Sequence, residues 1–519
     1  MSAVGGAHRI LHLGLGNFHR AHQALCTEDA GRRSGDPWEI TGVAGRSRAV
    51  VEALRRQRMR YSVVTLGPRE TRVRQVASIT DAFVAADEPH RVAREIADPR
   101  TRVVSLTVTE KGYDISPVTR RLDLDAPGVR GDLEALAGRG SRRGPGGREG
   151  PEGRERGTPP RSTVGRLAAG LLRRAREAGT PVTLLSCDNV TANGTTLAGL
   201  LRDFAAAMPP PDGTELLAYL DEAVTCPDTM VDRIVPATTD YHRQLAAAAG
   251  HPDEVPVPAE PFWMWVMRDD FAAGRPAWEQ AGAVMTDRVH DYETVKVRLL
   301  NGSHSLLAYL GLLTGRDLIA DAADDPAIAR VVRRLGDEYE PTLTLPAGFD
   351  VAAYRRQLWE RFANRRLGHR TAQVGADGSL KLAQRVPDAA VWHLDGGRVP
   401  GALALTVAAW LRCTAYPEQL DADRTGVPAD PGGERIRALA GRSGALGGSG
   451  SGSGGARRAR HLARAVLRDE AVLGQRLGEH EEFTETVAGL LELMESGGPD
   501  AALRAVDEDA EPFRPPTPT

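Results

Sequence analysis

Lysine is almost missing from this chain. Of 66 basic side chains only three are lysine, Lys111, Lys296 and Lys381. Asparagine is as scarce, with five copies, Asn17, Asn189, Asn193, Asn301 and Asn364. A coding bias against both residue types accounts for the trend. Its consequence is a filter: surviving lysines and asparagines are enriched where arginine, aspartate or serine cannot do the same chemistry. The four cysteines are widely spaced with no CxxC pair, which argues against a disulfide scaffold and a cysteine-rich zinc site. No apolar run reaches the roughly 18 residues of a membrane span. The opening MSAVGGAHRILHLGLG lacks the basic region, long apolar stretch and cleavage site of a secretory signal. A cytoplasmic protein is expected. The formal net charge of −3 gives no basic field, so nucleic acid is not an expected partner.

What is present is an ordinary globular composition over 519 residues, enough for two domains. Apolar runs at 9–16, 38–45, 61–66, 102–109 and 182–187 read as strands. Helical patterns intervene at 48–57, 90–97 and 165–178. This alternation predicts an α/β fold: a Rossmann-type, doubly wound, mainly parallel sheet over 1–287. From 288 to 510, periodic apolar helices predict a mainly α-helical second domain, with helices at 292–313, 326–338, 351–366, 400–413, 457–475 and 481–496. Segment 138–163 is Gly/Pro/Arg/Glu low complexity and predicts a disordered insertion. Segment 444–455 reads as a flexible Gly/Ser linker, and the tail EDAEPFRPPTPT is expected to fray.

Gly14-x-Gly16 follows the first apolar run, where glycines allow a tight turn and close approach of a pyrophosphate. The third glycine of the dinucleotide fingerprint is absent, with His19 in its place. No acidic ribose anchor is evident after the second strand. Arg46 and Arg48 stand there instead, suited to a 2′-phosphate or to solvent, which leaves NAD against NADP open.

In YETVKVRLLNGSHSLLAYLG (292–311), Lys296, Asn301 and His304 can border one side of a helix. On α-helical geometry Lys296 and Asn301 lie roughly 140° apart. Gly302 weakens a regular helix and invites close backbone approach to a ligand. Lys296 sits between Val295 and Val297, and an amine beside apolar walls loses solvation, so its pKa falls toward neutrality. Such a lysine can act as a general acid/base, as arginine cannot. The structural alternative is a lysine snorkelling out of a core helix. LLSCDNVTANG (184–194) places Asn189 at the carboxyl end of a strand, either as a donor to a ligand or in an Asx turn. Asp232 and Arg233 are either site residues or a buried ion pair.

Taken together, GLGNFHRAHQA (14–24), SLTVTEKGY (105–113), LLSCDNVTANG, PDTMVDRIVP, EPFWMWVMRDDFAAGRPAWEQAGA (260–283) and KVRLLNGSHSLLAYLG resemble the polyol-specific long-chain dehydrogenases. This is the mannitol 2-dehydrogenase, fructuronate reductase (mannonate oxidoreductase) and arabinitol dehydrogenase group. The resemblance implies a Rossmann-type domain plus a mostly helical domain with the substrate between them. It also implies metal-independent hydride transfer with NAD, NADP not excluded. On that basis Lys296 is the general acid/base, and Asn301 and Asn189 polarise the substrate C–O group. His304 orients substrate and lysine. Asp232, Lys381 and Gln373 contact the substrate, and Gly14, Gly16, Asn17 and Phe18 form the cofactor loop. RTAQVGADGSLKLAQR (370–385) resembles the sugar-acid members, since polyol members tend to carry Arg where Gln373 stands. The expected substrate is therefore D-mannonate/D-fructuronate, with mannitol, arabinitol or a mannitol phosphate as alternatives. Rivals from other classes are a catalytically inactive nucleotide-binding regulator, which would have a broken Lys/Asn/His set, and a zinc dehydrogenase, which needs a Cys/His ligand set.

Overall fold

The computed structural model describes residues 8–116, 119–140, 158–442, 453–469, 472–473 and 476–508. The chain divides into two compact units, Met1–His290 and Asp291–Thr519.

The first unit is built on a six-stranded sheet. Its strands are β1 (Arg9–Leu13), β2 (Glu39–Ala44), β5 (Ile79–Val84), β6 (Thr101–Leu106), β7 (Val182–Ser186) and β8 (Val224–Thr225), in the order β5-β2-β1-β6-β7-β8. All five pairings are parallel. Numbered by appearance in this sheet, the order is 3-2-1-4-5-6, that of the doubly wound dinucleotide-binding fold. The strands are apolar on both faces, as a sheet covered by helices on both sides requires. Leu11, Leu13, Val104 and Leu106 feed one core, together with Leu167 and Leu171 of helix Thr163–Glu177. Ile10, Ile40, Val103 and Leu185 feed the core on the opposite face.

One strand assignment is corrected. The run at 61–66 is a strand, β3 (Tyr61–Leu66), but it lies outside the main sheet. It pairs with β4 (Thr71–Val76) and β10 (Val257–Ala259) in a separate three-stranded sheet. The third strand of the main sheet is β5, ITDAFV, whose exposed polar positions hide it from an apolar-run search. A further small sheet joins β9 (Thr229–Asp232), β11 (Met264–Met267) and β12 (Val284–Met285).

Of the predicted insertion at 138–163, residues 141–157 lie outside the described residues; 138–140 end helix Pro127–Gly140, and 158–163 lead into helix Thr163–Glu177. Asp132 ties down the far end, accepting from Arg161 N, Ser162 N and Ser162 Oγ at 2.6–2.8 Å. The predicted linker at 444–455 also lies mostly outside the described residues, and its last three positions already belong to helix Ser453–Leu467. The tail beyond 508 is outside as well.

The second unit is helical. Helix Gly401–Ala415 is its core, buried at nearly every position. Its N-terminus follows Pro400 and has no side-chain cap of its own. The carboxylate of Glu338, on helix Pro326–Tyr339, accepts from Ala402 N at 2.9 Å and Leu403 N at 2.8 Å, filling two of the orphan donors of the first turn. Among the described residues no helix is long and apolar enough to cross a membrane.

Burial pushes the Glu338 carboxyl up to about 7, against the pull of those two amides. The folded chain therefore holds this proton after the unfolded chain has released it. The contribution is full below pH 4.5 and fades as pH rises to about 7. Glu338→Gln should flatten that part of the stability profile, read as melting temperature against pH for variant and native chain. Parallel profiles would contradict the assignment.

Candidate active site

At the carboxyl edge of the main sheet, β1 runs straight into Gly14, whose φ is +105°. A Cβ there would lie 2.0 Å from Thr107 O, so both the turn and the contact exclude any larger residue. Gly16 differs. A Cβ on it would meet only Gly14 O at 3.7 Å, which leaves bare backbone facing open space. This is the cradle a dinucleotide pyrophosphate needs, and the residues fit that group. Phe18 follows, its ring stacked on His22 at 5.0 Å. Asn17 is turned to structural work. It donates to Thr238 Oγ1 at 3.2 Å and accepts from Arg20 Nη2 at 2.7 Å, which pins the loop.

Beneath the loop lies a group that motif reading missed. His12, fully buried on β1, contacts Ser105 Oγ and Thr107 Oγ1 at 2.8 Å and Gly14 O at 3.1 Å. The His19 ring stacks on it at 3.4 Å. Where the full fingerprint uses glycine for close helix–strand packing, this chain packs imidazole on imidazole. Burial holds His12 down to about 3 and His19 well below its ordinary value, so both rings are neutral at pH 7.

After β2, Arg48 donates to Asp87 Oδ2 at 2.8 Å, whereas Arg46 is exposed. Asn189 is exposed beyond the end of β7. Its neighbour Asp188 is buried and accepts from Tyr113 Oη at 2.7 Å, Thr109 N at 2.8 Å and Val108 N at 3.0 Å. The loops after β6 and β7 are thereby stitched together, with Thr109 held at a φ of +68°. Asn193 donates to Thr229 Oγ1 at 3.0 Å and accepts from Thr229 N at 2.9 Å. Asp232, at the end of β9, is buried. The Asp232–Arg233 alternative resolves on the arginine side: Arg233 Nε and Nη2 donate to Glu260 O at 3.0 and 2.8 Å, and Nη1 to Ala21 O.

In the second unit, the helix expected over 292–313 is not uniform. It is α-helical over Val289–Val295, π-helical over Lys296–Gly302 and α-helical again over Ser303–Leu313. A π-helix bonds i to i+5, so residue 301 sits one turn beyond residue 296. The roughly 140° separation of ideal α-helical geometry does not apply. The winding narrows the angular separation of Lys296 and Asn301. Lys296 is 8% exposed and Asn301 is half-buried. Gly302 does allow a close approach, but to protein and not to ligand. A Cβ there would stand 2.5 Å from Tyr339 Oη.

His304, on the first turn after the π segment, packs against Phe362 at 4.8 Å and edge-on to His369 at 5.3 Å. Its Nε2 is buried with no hydrogen-bond partner among the described residues, as is His369 Nδ1. Burial, then the charges of His369, Arg361, Arg385 and Lys381, hold His304 well below its ordinary value. Burial and Lys381 bring His369 down to about 4. Lys381 Nζ donates to Val374 O at 3.3 Å. Gln373 is exposed on helix Thr371–Gly375. The second unit thus gathers Asn301, His304 and Lys381 in one neighbourhood, with Lys296 on the same continuous helix as the first two. To them it adds His369, Arg361 and Arg385, which motif reading did not single out although Arg385 closes the quoted stretch 370–385.

Residues 8–280 match the family model of the mannitol dehydrogenase Rossmann domain, and residues 288–445 that of the mannitol dehydrogenase C-terminal domain. The chain belongs to the mannitol dehydrogenase family. It is an oxidoreductase. A D-mannonate oxidoreductase of Escherichia coli K12 is 37% identical over 456 residues, 84% of this chain and 88% of that protein. A mannitol 2-dehydrogenase of Cereibacter sphaeroides is 32% identical over 501 residues, 95% of each chain. Among solved structures, Pseudomonas fluorescens mannitol 2-dehydrogenase in ternary complex with NAD and D-mannitol superposes with a TM-score of 0.80. It is 30% identical and covers 98% of this chain and 96% of that one. In this family member the glycine cradle and the π-wound helix each have a definite local cause.

Gly14→Ala should abolish dinucleotide binding, because the clash with Thr107 O and the positive φ both act on the loop itself. The check is fluorescence titration with NADH alongside a melting curve. Native affinity in the alanine variant would contradict the close contact.

Proposed function

We propose that the protein interconverts D-mannonate and D-fructuronate, with Lys296 as general acid/base and NAD as coenzyme. The NAD-bound relative of the same fold and the Gly14–Gly16 cradle support that coenzyme. NAD, when bound, supplies or accepts the hydride.

The chain's own residues handle the proton and the charge. In the reducing direction the half-buried Asn301 carboxamide donates to the substrate carbonyl oxygen, where negative charge develops. Asn189 is the proposed second donor, and Asp232 a substrate contact. Lys296 gives its proton to that oxygen, and in oxidation it takes the hydroxyl proton back. An amine flanked by Val295 and Leu299–Leu300 has few water competitors for that exchange. His304, neutral and with Nε2 uncommitted among the described residues, can accept a substrate hydroxyl and so orient the sugar beside Lys296.

One observation carries the choice of a sugar acid. After burial, the fixed charges that depress His304 are all basic, Arg361, Arg385 and Lys381. A carboxylate is the substrate group that such a field attracts. Gln373, on the same stretch as Lys381, is the proposed further polar contact of the substrate. A neutral hexitol is the second reading, favoured by the fold likeness to a mannitol-bound relative.

Lys296→Ala should lower turnover about 10²–10⁴-fold while NADH still binds. Lys296→Arg should do almost as badly, since its guanidinium does not release a proton. Near-normal turnover in either would remove the assignment. For the substrate, reductive assays with NADH should favour fructuronate over fructose by about 10²-fold or more in kcat/KM. Equal rates on the two would favour the hexitol reading.

A further inference from the structure

The π winding of Lys296–Gly302 needs a cause outside the helix. Where bonding changes from i→i+5 back to i→i+4, the backbone ladder is interrupted. A side chain from helix Gly378–Arg385 bridges that interruption. Arg385 Nη1 donates to Asn301 O at 2.9 Å and to Ser305 Oγ at 2.6 Å, one contact on each side of the change in winding. Arg385 is itself held, because Tyr339 Oη donates to Arg385 O at 3.0 Å. The fully buried Tyr339 ring then fills the space that a side chain at 302 would need. Gly302, Tyr339, Arg385 and Asn301 close a ring of contacts around the junction.

We infer that Arg385, braced by Tyr339, is a positioning residue of the reaction: its guanidinium fixes the π-to-α junction and thereby keeps Asn301 one turn beyond Lys296. The inference rests on the reading of Lys296 and Asn301 as the reacting pair. An alternative role exists for the same side chain, since a guanidinium near His304 can also meet a substrate carboxylate directly. The two roles separate in their kinetics. A positioning role acts on kcat and does not depend on substrate charge. A carboxylate contact acts on KM and only for acids.

The experiment is Arg385→Gly in the full chain. It is assayed on an acid and a neutral ketose with NADH, with and without millimolar guanidinium, and with methylammonium as the control cation. Turnover should fall about 100-fold on both substrates, the scale of a roughly 1 Å misplacement. KM and NADH affinity should stay near native. Guanidinium should restore turnover and methylammonium should not. Amide hydrogen exchange across 299–306 should speed up in the variant and slow again with guanidinium. The milder Tyr339→Phe, which removes one hydrogen bond worth about 1 kcal/mol, should lower kcat about fivefold in a chain that still folds. A KM rise confined to the acid, or native kcat with native exchange, would overturn the inference. If Lys296→Ala stays active while Arg385→Gly still loosens the junction, the catalytic reading fails and the positioning role fails with it. If Lys296→Ala is inactive and the junction is unmoved in Arg385→Gly, the positioning inference alone fails.

Discussion

The site depends on a change in helical winding. Seven residues, Lys296–Gly302, bond i to i+5 inside a helix that is otherwise α. π segments are rare and are disfavoured by their own geometry, so one persists only where the surroundings over-determine it. Here the surroundings are specific. Tyr339 occupies the volume denied to residue 302, and Arg385 supplies a donor to Asn301 O. The result is an amine and a carboxamide one turn apart on a largely buried helix, followed by an imidazole on the next turn. An α-helix of the same sequence would point the first two apart.

Electrostatics complements this geometry. The second unit gathers basic groups around His304, and burial keeps both His304 and His369 neutral. Two neutral imidazoles within a cationic neighbourhood can accept hydrogen bonds from sugar hydroxyls. In the first unit the same device recurs with a different purpose: stacked, neutral His12 and His19 pack the dinucleotide loop where glycine would normally allow the approach. Both imidazole pairs owe their neutrality first to burial.

The sequence made part of this legible and hid the rest, for identifiable reasons. Doubly buried strands such as RILHL and VTLLS announce themselves as apolar runs, and the parallel sheet follows from their alternation with helices. ITDAFV carries an exposed Thr80 and a half-exposed Asp81, so the more apolar YSVVTL drew the assignment for the third strand. Register in a helix is read from a period of 3.6, and nothing in VKVRLLNG marks a local switch to i→i+5 bonding. The scarcity filter worked unevenly. It drew attention to Lys296, but Asn17, Asn193 and Asn364 turn out to serve the fold. Asn193 shows why: it both donates to and accepts from Thr229, which aspartate cannot do. Arg385 and His369 escaped notice because a single Arg or His in a chain this rich in arginine carries no signal until packing shows what it touches.

The proposed chemistry requires Lys296 and Asn301 to act on one atom. A crystal structure of the ternary complex with NAD and a non-reacting substrate analogue would test this most directly. Lys296 Nζ and Asn301 Nδ2 should both lie about 2.6–3.2 Å from the same sugar oxygen, with the π winding intact. A complex in which that oxygen meets neither group, or in which the segment has rewound to an α-helix and parted them, would contradict it.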